Sequence, residues 1–176
     1  MRRFALTAIG RDRPGIVAAV TKVLYEHDCN IEDSSMTSLE DEFAIILIMS
    51  MPGEGDPIEL IKGLKALEDT GLTVNVKEIG ERQKDSPPGN CLITLHGGDK
   101  AGIVYRLAAL IASFGLNITD LETKVVGSPV KVYMMFMEAY APEGADIPGL
   151  EKEFGRLEDE LKVTIRLKRL EATEVL

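Results

Sequence analysis

The residues of this chain whose types and spacing could do chemistry are concentrated in one stretch, Gly10-Arg11-Asp12-Arg13-Pro14-Gly15-Ile16-Val17. It follows an apolar run, Phe4 to Ile9, and opens an amphipathic segment. Proline has a fixed φ and no N–H, which places Pro14 at the first position of a helix. Gly15 has no side chain, so a ligand could approach the backbone closely there. The free N–H groups of a helix's first turn point outward and carry partial positive charge. The chemistry this offers is capture of a carboxylate. The same residues also read as plain architecture, with Asp12 capping the helix and Gly15 relieving crowding.

Other chemistry is thin. The two histidines are His27 and His96. His27 and Cys29 are close in sequence, but no second ligand pair has zinc spacing, so no metal is expected. No G-x-S-x-G elbow marks a nucleophile. The glycine-rich run Gly97 to Gly102 is neither a P-loop nor a dinucleotide fingerprint, so no cofactor is expected. No carboxylate pair stands out as an acid/base couple. These absences predict a protein that is not an enzyme. His96 either bonds a ligand or simply finishes a strand.

The stretch occurs twice. Asp12-Arg13-Pro14-Gly15-Ile16-Val17 returns 87 residues later as Asp99-Lys100-Ala101-Gly102-Ile103-Val104. At the same offset Thr7 matches Thr94, Gly10 matches Gly97, Asn30-Ile31 matches Asn117-Ile118 and Asp33 matches Asp120. One offset held over loop, helix and following strand means an internal duplication. Its period suits two small domains rather than a solenoid.

This pattern of strand, D-R-P-G-I-V, helix and N-I-E-D resembles the ACT domain, a small amino-acid-sensing module. Two copies with little else resemble the glycine cleavage system transcriptional repressor family. The second copy departs by carrying Ala101 in place of Pro and Gly97-Gly98 before the Asp. The resemblance implies a ligand contacted at the loops. The backbone N–H groups of Gly15, Ile16 and Val17, and of Gly102, Ile103 and Val104, would take the carboxylate of an amino acid, with glycine and serine as candidates. Asp12 or Asp99 would pair with its ammonium group. Arg13, Pro14, Ile31 and Ile118 belong to the same candidate set. Asn30 and Asn117 either bond the ligand or serve as turn residues after a helix.

The elements that must position these residues follow from periodicity. Residues 3–10 read as a strand and 14–28 as a helix, with Ile16, Val17, Val20, Val23 and Leu24 on one stripe. Strands at 29–39 and 43–51, a helix at 57–69 and an alternating strand at 72–79 complete β-α-β-β-α-β. The second half repeats the order: a strand at 92–95, a helix at 101–114 with Gly115 as its C-cap glycine, and strands at 116–126 and 130–140. Leu150, Phe154, Leu157 and Leu161 then give helical spacing, and 162–170 closes as a strand whose Lys and Arg form a solvated face. The expected fold is α+β, two tandem ferredoxin-like domains with antiparallel sheets, at 1–80 and 91–176. The linker is 81–90, polar with Pro-Pro-Gly.

The third strands are unusual. Phe43-Ala44-Ile45-Ile46-Leu47-Ile48-Met49 and Met134-Met135-Phe136-Met137 are apolar throughout. A half-exposed antiparallel strand alternates. A covered second face is therefore expected, through a homodimer or packing between the halves. The chain has 176 residues, 45% of them hydrophobic, and a net charge of −9. That balance argues against direct binding of nucleic acid and against an anionic membrane surface. No signal segment or membrane span is read at the N-terminus, and Cys29 and Cys91 do not make a disulfide framework, so a cytoplasmic setting is expected. The expected role is a regulatory sensor acting through a protein partner such as a transcription factor. The alternatives are a regulatory subunit of the acetolactate synthase small-subunit kind, which lacks the repeated motif in its second half, or a ligand-free dimerisation module.

Overall fold

The structure is a computed structural model that describes residues 1–81 and 87–170. The chain divides into two compact units, Met1–Asp85 and Ser86–Leu176. In the first, β1 (Arg2–Arg11), α1 (Ile16–Glu26), β2 (Asn30–Leu39), β3 (Glu42–Met51), α2 (Pro57–Lys65) and β4 (Leu72–Ile79) follow in order, with a 3-10 turn at Ala66–Thr70. The second repeats this as β5 (Cys91–Gly97), α3 (Ile103–Ser113), β6 (Asn117–Val126), β7 (Val132–Tyr140), α4 (Ile147–Leu161) and β8 (Val163–Arg169). The sheets are antiparallel, ordered β2-β3-β1-β4 and β6-β7-β5-β8. Each unit is the α+β, ferredoxin-like β-α-β-β-α-β arrangement that the spacing predicts. Positions 82–86 of the expected linker lie outside the described residues. Asn90, at its end, is fastened into the second unit: its side chain exchanges hydrogen bonds with Ala141 at 2.8 and 2.9 Å.

One core lies under each sheet. In the first unit Phe4, Leu6 and Ala8 of β1 meet Val20 and Leu24 of α1, Leu60 and Leu64 of α2 and Leu47 and Met49 of β3. In the second, Ile93 and Leu95 meet Leu107 and Ile111 of α3 and Leu150, Phe154 and Leu157 of α4. The helices cover one face of each sheet only. β3 therefore does alternate in burial despite its unbroken apolar sequence. Phe43, Leu47 and Met49 are buried, whereas Ile46 is 51% exposed. In β7 Met135 and Met137 are buried and Phe136 is exposed.

The two crossover helices end alike. In α1 the N–H of Cys29 reaches the carbonyl of Leu24 (2.9 Å) and that of Asp28 reaches Tyr25 (3.1 Å). In α3 Leu116 reaches Ile111 (3.3 Å) and Gly115 reaches Ala112 (2.9 Å). Both are Schellman closures, with the residue past the cap left-handed. Gly115 holds φ 76° there, as its sequence position predicts, while the first copy places Asp28 in the same role at φ 54°.

Candidate ligand-binding turns

The two D-x-x-G-I-V stretches adopt the same turn. Gly15 has φ 91°, ψ −2° and Gly102 has φ 91°, ψ −3°. These are the values of the third residue of a type II β-turn, which needs glycine there, with proline favoured one place earlier. Gly15 and Gly102 are therefore the N-caps, and the helices begin at Ile16 and Ile103. This corrects the expectation that Pro14 is the first helical residue: it sits in the turn before the cap. It also corrects the roles given to Asp12 and Gly15 as capping residue and crowding relief. Neither helix has a side-chain cap, and a Cβ on Gly15 would meet nothing within 4 Å. The glycine is required for its backbone conformation.

No side chain caps either helix, so the first-turn donors have no side-chain partner, although in the second copy the Ile103 N–H reaches the Lys100 carbonyl at 3.5 Å. Ile16 and Ile103 are buried, their side chains in the cores of their units. Val17 is exposed and Val104 half-buried. Gly10 and Gly97, which precede the turns, have a different need. A Cβ on Gly10 would meet the carbonyl oxygen of Gly71 at 2.7 Å, and one on Gly97 would meet Val163 at 2.7 Å.

Side chains around the turn fasten it to its unit. The Ser38 hydroxyl donates to Asp12 Oδ2 at 2.8 Å, and the Asp12 N–H donates to the Asp41 carbonyl at 2.7 Å. Arg13 donates from Nη2 to the Thr70 carbonyl at 3.1 Å. Its equivalent, Lys100, donates from Nζ to the Leu161 carbonyl at 2.9 Å. Both cations thus neutralise the carbonyl end of the element before the last strand. Sequence reasoning missed Ser38, Asp41, Thr70 and Leu161. The signal for the first two is the short β2–β3 turn, which folds back beside the end of β1.

Asn30 and Ile31 are not brought to the turn of their own unit. Asn30 pairs with Ser50, which pairs with Arg3 at the start of β1, whereas the turn follows Arg11 at its end. Eight residues of strand separate the two positions by about 27 Å. Asn117 and Ile118 likewise begin β6, opposite Tyr140 and Ala139. Their repeat has its own structural cause: the β2–β3 pairing slips between Ile31 and Asp33, and the β6–β7 pairing slips between Ile118 and Asp120. The duplicated Asn-Ile-x-Asp sequence is a duplicated β-bulge.

His96 ends β5 and lines an open polar groove of about 460 Å³ with Glu158, Asp159, Lys162, Thr164 and Arg166. His27 Nδ1 lies 2.8 Å from the Val23 carbonyl. Cys29 is half-buried, and desolvation, then the nearby Asp28, pushes its thiol above the ordinary range. Among the described residues no cluster of three or more His, Cys, Asp or Glu is placed to hold a metal ion. No helix among them is long and apolar enough to cross a membrane.

The family model of the ACT domain matches residues 2–77 and again 90–168. Over 162 residues the chain is 28% identical to the glycine cleavage system transcriptional repressor of Escherichia coli (strain K12), covering 89% of this chain and 84% of that protein. Over 79 residues it is 51% identical to the UPF0237 protein MK1213 of Methanopyrus kandleri, covering 44% of this chain and 88% of that one. The solved structure of an unknown protein from Galdieria sulphuraria superposes with a TM-score of 0.80 at 25% identity, covering 97% of this chain and 99% of that one. Two matched copies of one module, each built on the same glycine turn, place this chain in the ACT domain family.

Proposed function

We propose that the chain is a non-catalytic amino-acid sensor whose glycine turns hold the ligand and whose state is read by a protein partner acting on transcription or metabolism. The observation that carries this reading is the duplicated N-terminus of α1 and α3, left-handed at the glycine and without a side-chain cap. Its first-turn N–H groups suit a carboxylate. Asp12 Oδ1 and the carboxylate of Asp99 suit the ammonium group that completes a zwitterion. Arg13 and Lys100 act by holding the turn rather than by touching ligand. Asn30, Ile31, Asn117 and Ile118 lie too far from the turn of their own unit to share its ligand. The likeness to a glycine cleavage system repressor over most of both chains supports a regulatory role and makes glycine and serine the first ligands to try. The exposed apolar strand residues support self-association as a homodimer.

A thermal-shift screen of the common amino acids tests the reading. A ligand that binds only the native state stabilises it by about 2.7 kcal/mol at one hundred times its Kd, so the specific amino acid raises the melting temperature. A flat response across all of them, with calorimetry confirming no binding, would overturn the sensor role and leave the dimerisation module.

A further inference from the structure

The outer face of the first unit's sheet has a pattern that complements itself. Three register rows cross it. Asp33, Ile48, Ala5 and Lys77 form one row; Ser35, Ile46, Thr7 and Asn75 the next; Thr37, Ala44, Ile9 and Thr73 the third. Within these three rows charge stands only at the ends of the first, acidic on β2 and basic on β4; beyond them the same face carries Arg3, paired with Glu32 at 2.7 Å, and Arg11 opposite Glu42. Ile46 and Ile9 are each 51% exposed. Two shallow hollows of about 180 Å³ each flank Ile46, one lined by Asp33, Ser35 and Ile48, the other by Thr7, Ile9 and Ala44.

We propose that this face docks a second copy of the chain, first unit on first unit, about a two-fold axis parallel to the strands. Such an axis lays each row over its own reverse. Asp33 then faces the partner's Lys77. Ile48 faces the partner's Ala5, Ile46 the partner's Thr7, and Ile9 the partner's Ala44. Each large apolar side chain meets a small one, and the Asp33–Lys77 ion pair forms twice by symmetry. An axis across the strands instead stacks Ile46 on itself and leaves the charges unmatched. The twist of each sheet rotates aligned sheets by about 30°; this moves the edges most, where the long Lys77 side chain spans the offset.

The area is sufficient. Four strands about 4.8 Å apart and eight paired residues at about 3.4 Å each give roughly 500 Å² per copy. The total of about 1,000 Å² meets the minimum for a biological interface, at the weak end of the size scale. The second unit's outer face does not offer the same surface. Its edges repeat the acidic and basic row ends, with Asp120 on β6 and Lys168 on β8, but Glu138 stands at its centre opposite Leu92, so a covering sheet would bury that charge. The proposal rests on the self-association put forward above and does not depend on the ligand.

Sedimentation equilibrium of the full chain and four variants tests it, with circular dichroism confirming that each is folded. The wild type is expected to be a dimer. Ile46→Lys puts a charge into the apolar centre and weakens association at least about tenfold. Phe136→Lys on the second unit leaves it unchanged. Asp33→Lys weakens it, and Asp33→Lys combined with Lys77→Asp restores it, because the axis pairs these two positions. A wild type that is monomeric overturns both this proposal and self-association. A dimer that survives Ile46→Lys, or that dissociates with Phe136→Lys alone, overturns the face while sparing self-association. Failure of the charge swap to restore association overturns the axis.

Discussion

At the scale of single residues the two glycine turns are alike in backbone and unlike in how firmly they are held. Gly15 and Gly102 share a left-handed conformation that a Cβ disfavours by about 1–2 kcal/mol. Open space surrounds both, so Gly15→Ala and Gly102→Ala should each lose about that much stability in urea melts, with no packing contribution. The first turn has Pro14 preset for its place in a type II turn, together with the Ser38–Asp12 bond and the Arg13–Thr70 bond. The second has Ala101 and the Lys100–Leu161 bond. A proline in a compatible turn contributes about 0.4–1 kcal/mol by restricting the unfolded chain, and the same restriction lowers the ordering cost of binding. Calorimetry on Asp12→Ala and Asp99→Ala should therefore show the larger loss of amino-acid affinity for Asp12→Ala. The reverse order would place the tighter site in the second unit.

At the scale of elements, the duplication exposes a position where one copy is less well suited than the other. The Schellman closure of α3 uses Gly115, and that of α1 uses Asp28 in the same left-handed region. Glycine there removes the steric penalty of the side chain and costs backbone freedom when unfolded, leaving a net gain of up to about 1 kcal/mol. Asp28→Gly is expected to raise the urea midpoint without changing the slope; a loss of stability would show that the Asp28 side chain contributes more than its strain. A second test lies across β1 and β4. The Arg2 guanidinium makes two 2.8 Å bonds to Glu78 and holds its carboxyl below the ordinary value of 4.5, chiefly through that hydrogen bonding. A lowered carboxylate pKa contributes stability above the unfolded value that is lost as pH falls through the folded one. The pair lies at the surface, so the effect is small. The melting-temperature gap between wild type and Glu78→Gln should be widest above pH 4.5 and close below it. A gap that persists in acid would mean the glutamine disturbs packing instead.

At the scale of the whole molecule, a net charge of −9 sets how regulation can be exerted. Duplex DNA is held by neutralising phosphates with cations, and this chain carries 20 basic against 29 acidic residues. The pure protein is expected to give no salt-sensitive shift of duplex DNA at physiological ionic strength. A tight shift in a gel assay would refute action through a partner. The duplication also fixes what each unit can do. Both retain the turn, the bulge and the helix closure, yet their outer sheet faces have diverged, apolar around Ile46 in one and polar around Glu138 and His96 in the other. The same module twice thus repeats one glycine turn on two units whose outer sheet faces differ.

The sequence by itself determined the features that depend on neighbours along the chain. The shared offset revealed two modules. The apolar stripes marked the helices, because i, i+3 and i+4 positions share a face. Gly115 announced a helix end because few residues accept its backbone conformation. Tertiary structure decided what depends on where strands finish. β3 reads as buried on both faces, but helices cover only one, so Ile46 is left exposed. Asn30 reads as a companion of the Asp12 turn, yet α1 returns antiparallel to β1 and starts β2 at the far end of the sheet. Asp12 reads as a helix cap because capping is local, whereas Ser38, 26 residues away, takes its carboxylate. That choice is made only when the β2–β3 turn folds back beside the end of β1 and puts a hydroxyl within reach.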